Sequence, residues 1–482
     1  MSELHLPWLA ASLVFSLLGA AWVACVRDPR LARQWSLIFS GLTLLTAVGA
    51  WLDFDLLATN EAIGYGHLQT QWFGREFFVI DRLSAPLLPL VALLHFLTAL
   101  TTLNTKVRRF SFVSALISEA ILLATICCRE PWIVIGLLAA GTVRPYLDLR
   151  TRGQPTRVYV IYMAAYVLLM VAGWSIVEME GQDQAHSLWA VVPLLVAVFI
   201  RSGIAPFHSW MLDLFDRSTL GSALLFVAPL TGAYAAVRLL LPIAPDWVLR
   251  SIGLVSLFTA VYAAGMALIQ RDARRFFCFL FLSHSALVLV GLEMGTPRLS
   301  SPIGLTGGLC VWLSIGLSLG GFGLTLRALE ARRGRLKLTE FQGLYEHTPT
   351  LAVCFLLTGL GSVGFPGTLG FVGTEMLIDG AVETYPYIGV AVVIAAALNG
   401  IAVVQAYFRL FTGTRYSSSV SLQIGERERF GVLLLAALIL IGGIFPQQGI
   451  LSRYRAAEEL RQQHTEDANE TTSSEPEQGH KH

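Results

Sequence analysis

Apolar runs long enough to cross a bilayer recur along this chain from residue 8 to residue 446. A helix needs about 20 consecutive apolar residues to span the hydrocarbon core. The runs are continuous and do not alternate, which argues against a membrane β-barrel. Composition agrees: of 482 residues, 55% are hydrophobic and 14% are charged. A soluble chain of this size carries about a quarter charged residues to cover its water-facing surface. The expected fold is therefore an all-α polytopic membrane protein.

Fourteen apolar segments can be counted, near 8–26, 34–52, 77–103, 110–128, 131–147, 158–177, 187–206, 220–242, 251–270, 276–293, 302–326, 350–382, 387–411 and 430–446. About 14 transmembrane helices follow. The segment at 350–382 is too long for one simple span and carries "GFPGTLGF", so it is expected to be a broken helix or two short ones. The N-terminus has no basic region before its first apolar stretch and reads as a first transmembrane helix rather than a cleaved signal. The transmembrane domain is taken as 1–455. Beyond it, residues 456–482 are polar and expected to form a disordered tail, whose three histidines are not preorganised for a metal.

Loop charges alternate. Arg27, Arg30 and Arg33; Lys106, Arg108 and Arg109; Arg150, Arg152 and Arg157; Arg271, Arg274 and Arg275; and the cluster from Arg327 to Lys337 fall on one side. Asp53, Asp55 and Glu61, then Glu178, Glu180 and Asp183, fall on the other. By the positive-inside rule the basic side is cytoplasmic and the N-terminus lies outside the inner (cytoplasmic) membrane. The six cysteines have neither metal-ligand nor disulfide-framework spacing and read as buried small hydrophobes. A net charge of +1 gives no sign of nucleic-acid binding. "GLGSVG" at 359–364 matches a dinucleotide fingerprint in letters only; no strand precedes it, and spaced glycines in a membrane helix serve close packing.

A charge within the bilayer is costly and usually has a partner or a task. Glu119 lies well inside the fourth span, and its short side chain cannot reach either interface. Arg144 precedes Pro145 near a predicted helix end, close enough to snorkel to the cytoplasmic interface. Arg201 ends or interrupts the seventh span, and Glu375 follows a glycine-rich break. His95 and His284 are further polar interruptions. Arginine stays protonated, so it acts as a fixed field or an ion-pair partner rather than a proton carrier.

These residues resemble a known family. Over roughly residues 75–446 the chain is similar to the antiporter-like membrane subunits of complex I (NADH:quinone oxidoreductase), shared with multisubunit sodium/proton antiporters and inorganic-carbon uptake complexes. Four stretches carry the resemblance: "IDRLSAPLLPLV" (80–91), "RSGIAPFHSWMLD" (201–213, with His208 and Asp213), "RDARRFFCFLFLSHSALVLVGL" (271–292, with Arg274 and His284), and "GFPGTLGFVGTEMLI" (364–378), which looks most like the M-type chain. The resemblance implies about fourteen helices in two inverted repeats, each with a broken helix, and a row of ionisable groups across the bilayer centre.

The chain departs from that row. "IGLLAAGTVRPY" has no acid where the family's fifth helix carries Trp-Glu, Arg201 stands for the key lysine, and Phe226 for a histidine. Ile315 and Ser318 fall at the later His and Lys, and Thr374 at the last ionisable place, with Glu375 one residue on. The scaffold is expected to be present with a degenerate proton relay, and Arg201 is expected to pair with Glu119. The intramembrane candidates are thus Arg201, Glu119, Glu375, His208, Asp213, His284, Arg274 and Arg144.

Three functions fit. The first is a membrane subunit of a complex I-like, proton- or cation-translocating NADH–quinone oxidoreductase assembly, with other membrane subunits as partners. The second is the membrane subunit of an inorganic-carbon uptake complex partnered with a soluble zinc protein. The third is a non-conducting scaffold subunit. In each, no cofactor, metal or catalytic chemistry is expected in this chain itself, and gene neighbourhood separates the first two.

Overall fold

The computed structural model describes residues 5–60, 67–72, 75–103, 107–108, 110–181, 186–294, 301–413 and 424–473. Lys106, Arg109, Glu61 and Asp183, named above for loop charge, lie outside them. The first part of the chain forms α1 (Trp8–Cys25), α2 (Pro29–Asn60), a hairpin of β1 (His67–Trp72) and β2 (Arg75–Asp81), α3 (Leu87–Leu100), α4 (Phe112–Cys127), α5 (Pro131–Gly141), α6 (Val143–Thr151) and α7 (Arg157–Glu180). Next come α8 (Leu188–Ser202), α9 (Ser209–Arg217), α10 (Leu220–Val227) and α11 (Thr231–Ala235), which runs into a π-helical turn, Ala236–Leu240. The remainder is α12 (Asp246–Leu268), α13 (Ala273–Glu293), α14 (Ile303–Arg333), α15 (Pro349–Val363), α16 (Leu369–Thr384), α17 (Pro386–Phe411), α18 (Glu426–Ile444) and α19 (Gln447–Ser473).

Among the described residues, nine helical stretches are long and apolar enough to cross a membrane, and the bent pair α18–α19 would make a tenth. Four further apolar helices, α3, α4, α8 and α15, are shorter than 18 residues. A count of about fourteen therefore depends on short helices crossing in the company of others. The long segment expected to break does so: α15 and α16 are two short helices separated at 364–368. The hairpin was not expected. Its strands pair antiparallel, with Leu68 opposite Ile80 and Gln69 opposite Val79.

Packing sorts the helices. The apolar window of α13 is wholly buried and that of α14 is 89% buried, whereas that of α7 is only 28% buried. Lipid tails are as apolar as leucine, so membrane helices gain little by hiding apolar surface and depend on close packing. Small residues supply it here: a Cβ on Gly291 of α13 would stand 2.5 Å from the Cα of Gly308 of α14. The fingerprint-like glycines serve the same end, since a Cβ on Gly359 would meet Val403 Cγ1 at 2.6 Å.

Ion pairs clamp both ends of the bundle. At the basic end, Arg274 Nη2 meets Glu330 at 2.8 Å, tying α13 to α14, and Arg332 pairs with Glu428, tying α14 to α18. At the hairpin end Asp81 pairs with Arg238 and with Arg129. Helix α19 continues past the boundary placed at 455, into the segment expected to be a disordered tail. "RYRAAEELRQQ" is rich in strong helix formers, and Ala456, Ala457 and Leu460 are buried. Residues 474–482 lie outside the described residues.

Candidate functional site

The site forms where two helices break beside each other. Helix α8 ends at Gly203, which takes a left-handed conformation (φ +70°) that L side chains rarely adopt. The chain then turns through Pro206 and re-enters helix at Ser209. Two bonds hold the turn: Trp210 Nε1 donates to the Ile200 carbonyl (2.8 Å), and Ala205 N donates to Thr259 Oγ1 (3.1 Å). The second break follows α10. Pro229 has no N–H to give, and Leu230 N donates to Val227 O (3.0 Å) rather than to Phe226. That leaves the Phe226 carbonyl open as an acceptor.

Arg201, one residue before the end of α8 and 4% exposed, takes that carbonyl, with Nη2 donating at 3.0 Å. Its guanidinium carbon lies 3.9 Å from the centre of the Phe226 ring and 5.7 Å from Trp210. Tyr159 completes an aromatic cage, edge-on to both rings at 6.1 and 6.3 Å between centroids. A cation over aromatic faces is stabilised by their quadrupoles, most strongly where water is excluded. Tyr159 and Tyr166 are the ionisable neighbours that influence it. Among the described residues no acid is one of them.

The expected Arg201–Glu119 ion pair is not formed. Glu119 is fully buried in α4, and neither carboxylate oxygen has a well-formed hydrogen bond among the described residues. The Ser16 hydroxyl of α1 lies beside it but donates to the Leu116 carbonyl (3.1 Å). Glu119 thus belongs to the α1–α4 contact, and Arg201 to the α8–α10 breaks. Sequence placed both at membrane depth but could not supply the rotation of their helices.

The other candidates disperse. Arg144 was expected to snorkel; it is instead buried in α6 (9% exposed), with Nη1 unpartnered. Glu375 is exposed on α16, while Thr374, one residue earlier, faces Gly364 at the break. His208 stands just before α9, without a side-chain cap bond, and lies edge-on to Tyr262 at 5.6 Å. Asp213 pairs with Arg217 one turn on, at 2.9 Å. His284 Nδ1 donates to the Leu280 carbonyl (2.7 Å), and its ring reaches the Ser362 backbone at the end of α15. His95 likewise donates Nδ1 to Val91 O at 2.9 Å. Arg274, besides its pair with Glu330, donates to the Phe215 and Ser218 carbonyls (3.0 and 2.9 Å) and fastens the end of α9. It acts as a clamp.

One cluster was missed. Asp81 is 2% exposed and lies between the hairpin and α3. One carboxylate oxygen accepts Ser84 N at 2.7 Å, while Asp81 N donates to Ser84 Oγ at 2.9 Å, so "DRLS" is a reciprocal cap. The other oxygen takes Arg238 and Arg129. Burial alone pushes this carboxyl up, but the two guanidinium groups outweigh it and hold it well below the usual carboxylate range. The signal for Arg238 was a lone cation inside the apolar run 220–242, the same signal that singled out Arg201.

Comparison with known proteins identifies this architecture. The family described as NADH:quinone oxidoreductase/Mrp antiporter, TM, matches residues 159–399, half of the chain, including both breaks of the Arg201 site. NADH-quinone oxidoreductase subunit 13 of Thermus thermophilus is 26% identical over 395 residues, covering 77% of this chain and 82% of that protein. NADH-quinone oxidoreductase subunit M of Pseudomonas aeruginosa is 24% identical, covering 92% of this chain and 94% of that one. The fold matches a chain in the solved structure of respiratory complex I from Thermus thermophilus with bound NADH, with a TM-score of 0.82 at 21% identity over 94% of this chain and 99% of the other. The chain belongs to the NADH:quinone oxidoreductase/Mrp antiporter transmembrane family, as an antiporter-like subunit of the M type.

Proposed function

We propose that the chain is a membrane subunit of a complex I-like, proton- or cation-translocating NADH–quinone oxidoreductase assembly, in which Arg201 is a fixed cation and the proton relay is degenerate. The observation that carries this reading is the Arg201 cage. A guanidinium held by a backbone carbonyl and aromatic faces keeps its proton and, among the described residues, has no acid beside it to exchange it with. Thr374 points to the second break where the resemblance implies an ionisable group, and Glu375 points away. The breaks at 203–208 and 364–368 support two repeats with one broken helix each. The basic loops lie in the cytoplasm and the N-terminus outside, by the positive-inside rule.

Affinity purification of the tagged chain from native membranes tests the assembly. Other complex I-type membrane subunits are expected to co-purify, together with a peripheral arm that oxidises NADH. Recovery of the chain with a single soluble zinc protein would overturn the reading in favour of the carbon-uptake complex.

A further inference from the structure

A cavity of ≈ 410 Å³ opens between α4, α5–α6 and the paired breaks. That volume is within the range of about 300–1,000 Å³ typical of small-ligand sites. Half of its lining residues are aliphatic, with the hydroxyls of Ser111, Ser114 and Ser118 at its α4 wall, and Ile117, Ala140, Val143 and Leu147 on it are exposed at the outer surface of the bundle. Four buried donors also line it: Arg144, Arg201, Thr231 and Thr125, whose hydroxyl already donates to Ile121 O (2.6 Å). Arg144 Nη1 and Thr231 Oγ1 have no hydrogen-bond partner among the described residues, at 9% and 4% exposure of their residues. Arg201 gives one N–H to Phe226 O.

Among the described residues no acid lines this space. The carboxylate that influences Arg144, Asp148, is already held by Arg152 Nε (3.1 Å) and by Thr219 N (3.1 Å). Buried cations without a counter-charge are costly, and a ligand that brings the missing anion removes that cost. An oxyanion headgroup supplies a guanidinium or a hydroxyl on this wall with the acceptor it lacks. The aliphatic walls and exposed apolar lining suit a hydrocarbon chain and not a hydrated ion.

We propose that this cavity binds an anionic amphiphile from the bilayer. Its oxyanion headgroup lies against Arg144, Arg201 and Thr231, and its acyl chain along Leu137, Val143 and Leu147. The site shares Arg201 with the proposed fixed-cation reading but is tested by binding, so failure of one does not entail failure of the other.

The test uses the purified assembly in phosphatidylcholine nanodiscs, supplemented separately with phosphatidylglycerol, oleate or inorganic phosphate. Thermal stability and retained lipid by native mass spectrometry are followed. A rise in Tm with phosphatidylglycerol or with oleate is expected, and the two arms distinguish a phospholipid from a free fatty acid. Arg144→Gln should weaken the half-saturating concentration at least tenfold. Ala140→Phe should do the same by filling the cavity while leaving both arginines in place, which keeps the test valid if Arg144→Gln fails to fold. The proposal is overturned by an equal rise with added phosphatidylcholine, by a full rise with phosphate alone, or by shifts unchanged in both variants. It is overturned equally if Val143→Cys crosslinks to a neighbouring subunit throughout the assembly, because protein then closes the cavity.

Discussion

Replacing Asp81 by asparagine removes one charge from a buried ion cluster and leaves the shape of the side chain. The amide oxygen can still accept Ser84 N, so the turn that leads into α3 survives. What is lost is the anion facing Arg238 and Arg129, whose side chains are 10% and 31% exposed. Stripping one partner from a buried pair costs about 3–5 kcal/mol, because the other charge is left uncompensated. The partial exposure of Arg129 puts the expectation at the lower end, about 3 kcal/mol. Equilibrium unfolding in mixed micelles, followed by tryptophan fluorescence, measures it. Raising the salt should change the difference little, since buried pairs are poorly screened. Arg238→Gln added to Asp81→Asn should cost less than the sum of the single changes.

The same cluster fixes a pH dependence. The carboxyl of Asp81 is depressed in the folded state below its unfolded value of about 3.9. A depressed acid contributes stability that is present above the unfolded pKa and lost as pH falls through the folded one. The part of the gap between wild type and Asp81→Asn that belongs to Asp81 should therefore close below about pH 4, while Glu459, which also pairs with Arg129 and is raised to about 7 by burial and by the Asp81 charge, adds a change of its own between about pH 5 and 8. A gap under about 1 kcal/mol at pH 7, or one that does not close below about pH 4, would refute the assignment of Asp81 as the anionic keystone of this end.

Three further outcomes follow from the geometry. Phe226→Ala should cost about 3–5 kcal/mol from the cavity alone, with up to about 2 more from the lost cation–π contact, read in the same unfolding assay. Gly203→Ala should destabilise by at least about 1–2 kcal/mol, since a left-handed residue gains a Cβ that would meet Leu282 Cδ2 at 2.7 Å. Glu330→Gln should loosen the basic end, where Arg274 loses its carboxylate but keeps two carbonyls; faster hydrogen exchange at the end of α9 and the start of α13 would show it.

Much of the fold was legible because the bilayer imposes a length and an apolar character on every helix. The break at 364–368 was legible because "GFPGT" cannot continue a helix, and the one after Arg201 because Pro206 follows so closely. The hairpin was not, although polar "HLQTQWFGREFFVID" separates two apolar runs; a reading tuned to spans gives no weight to strands outside them. Within the site, Arg201 and the substitution at Phe226 were visible as letters. Their contact was not, because it depends on Pro229 freeing a carbonyl in the next helix. Arg144 and Glu119 were visible as charges at depth, but burial and partner depend on helix rotation, which one sequence does not specify.

The central claim is that Arg201 is a fixed charge and not a proton carrier. The direct measurement is the number of protons moved per electron pair by the whole assembly in proteoliposomes, wild type against Arg201→Gln, with subunit content checked in both. The ratio is expected to stay the same in fully assembled Arg201→Gln complexes. A ratio lower by a whole proton in complexes of normal composition would contradict the claim and return Arg201 to the proton path.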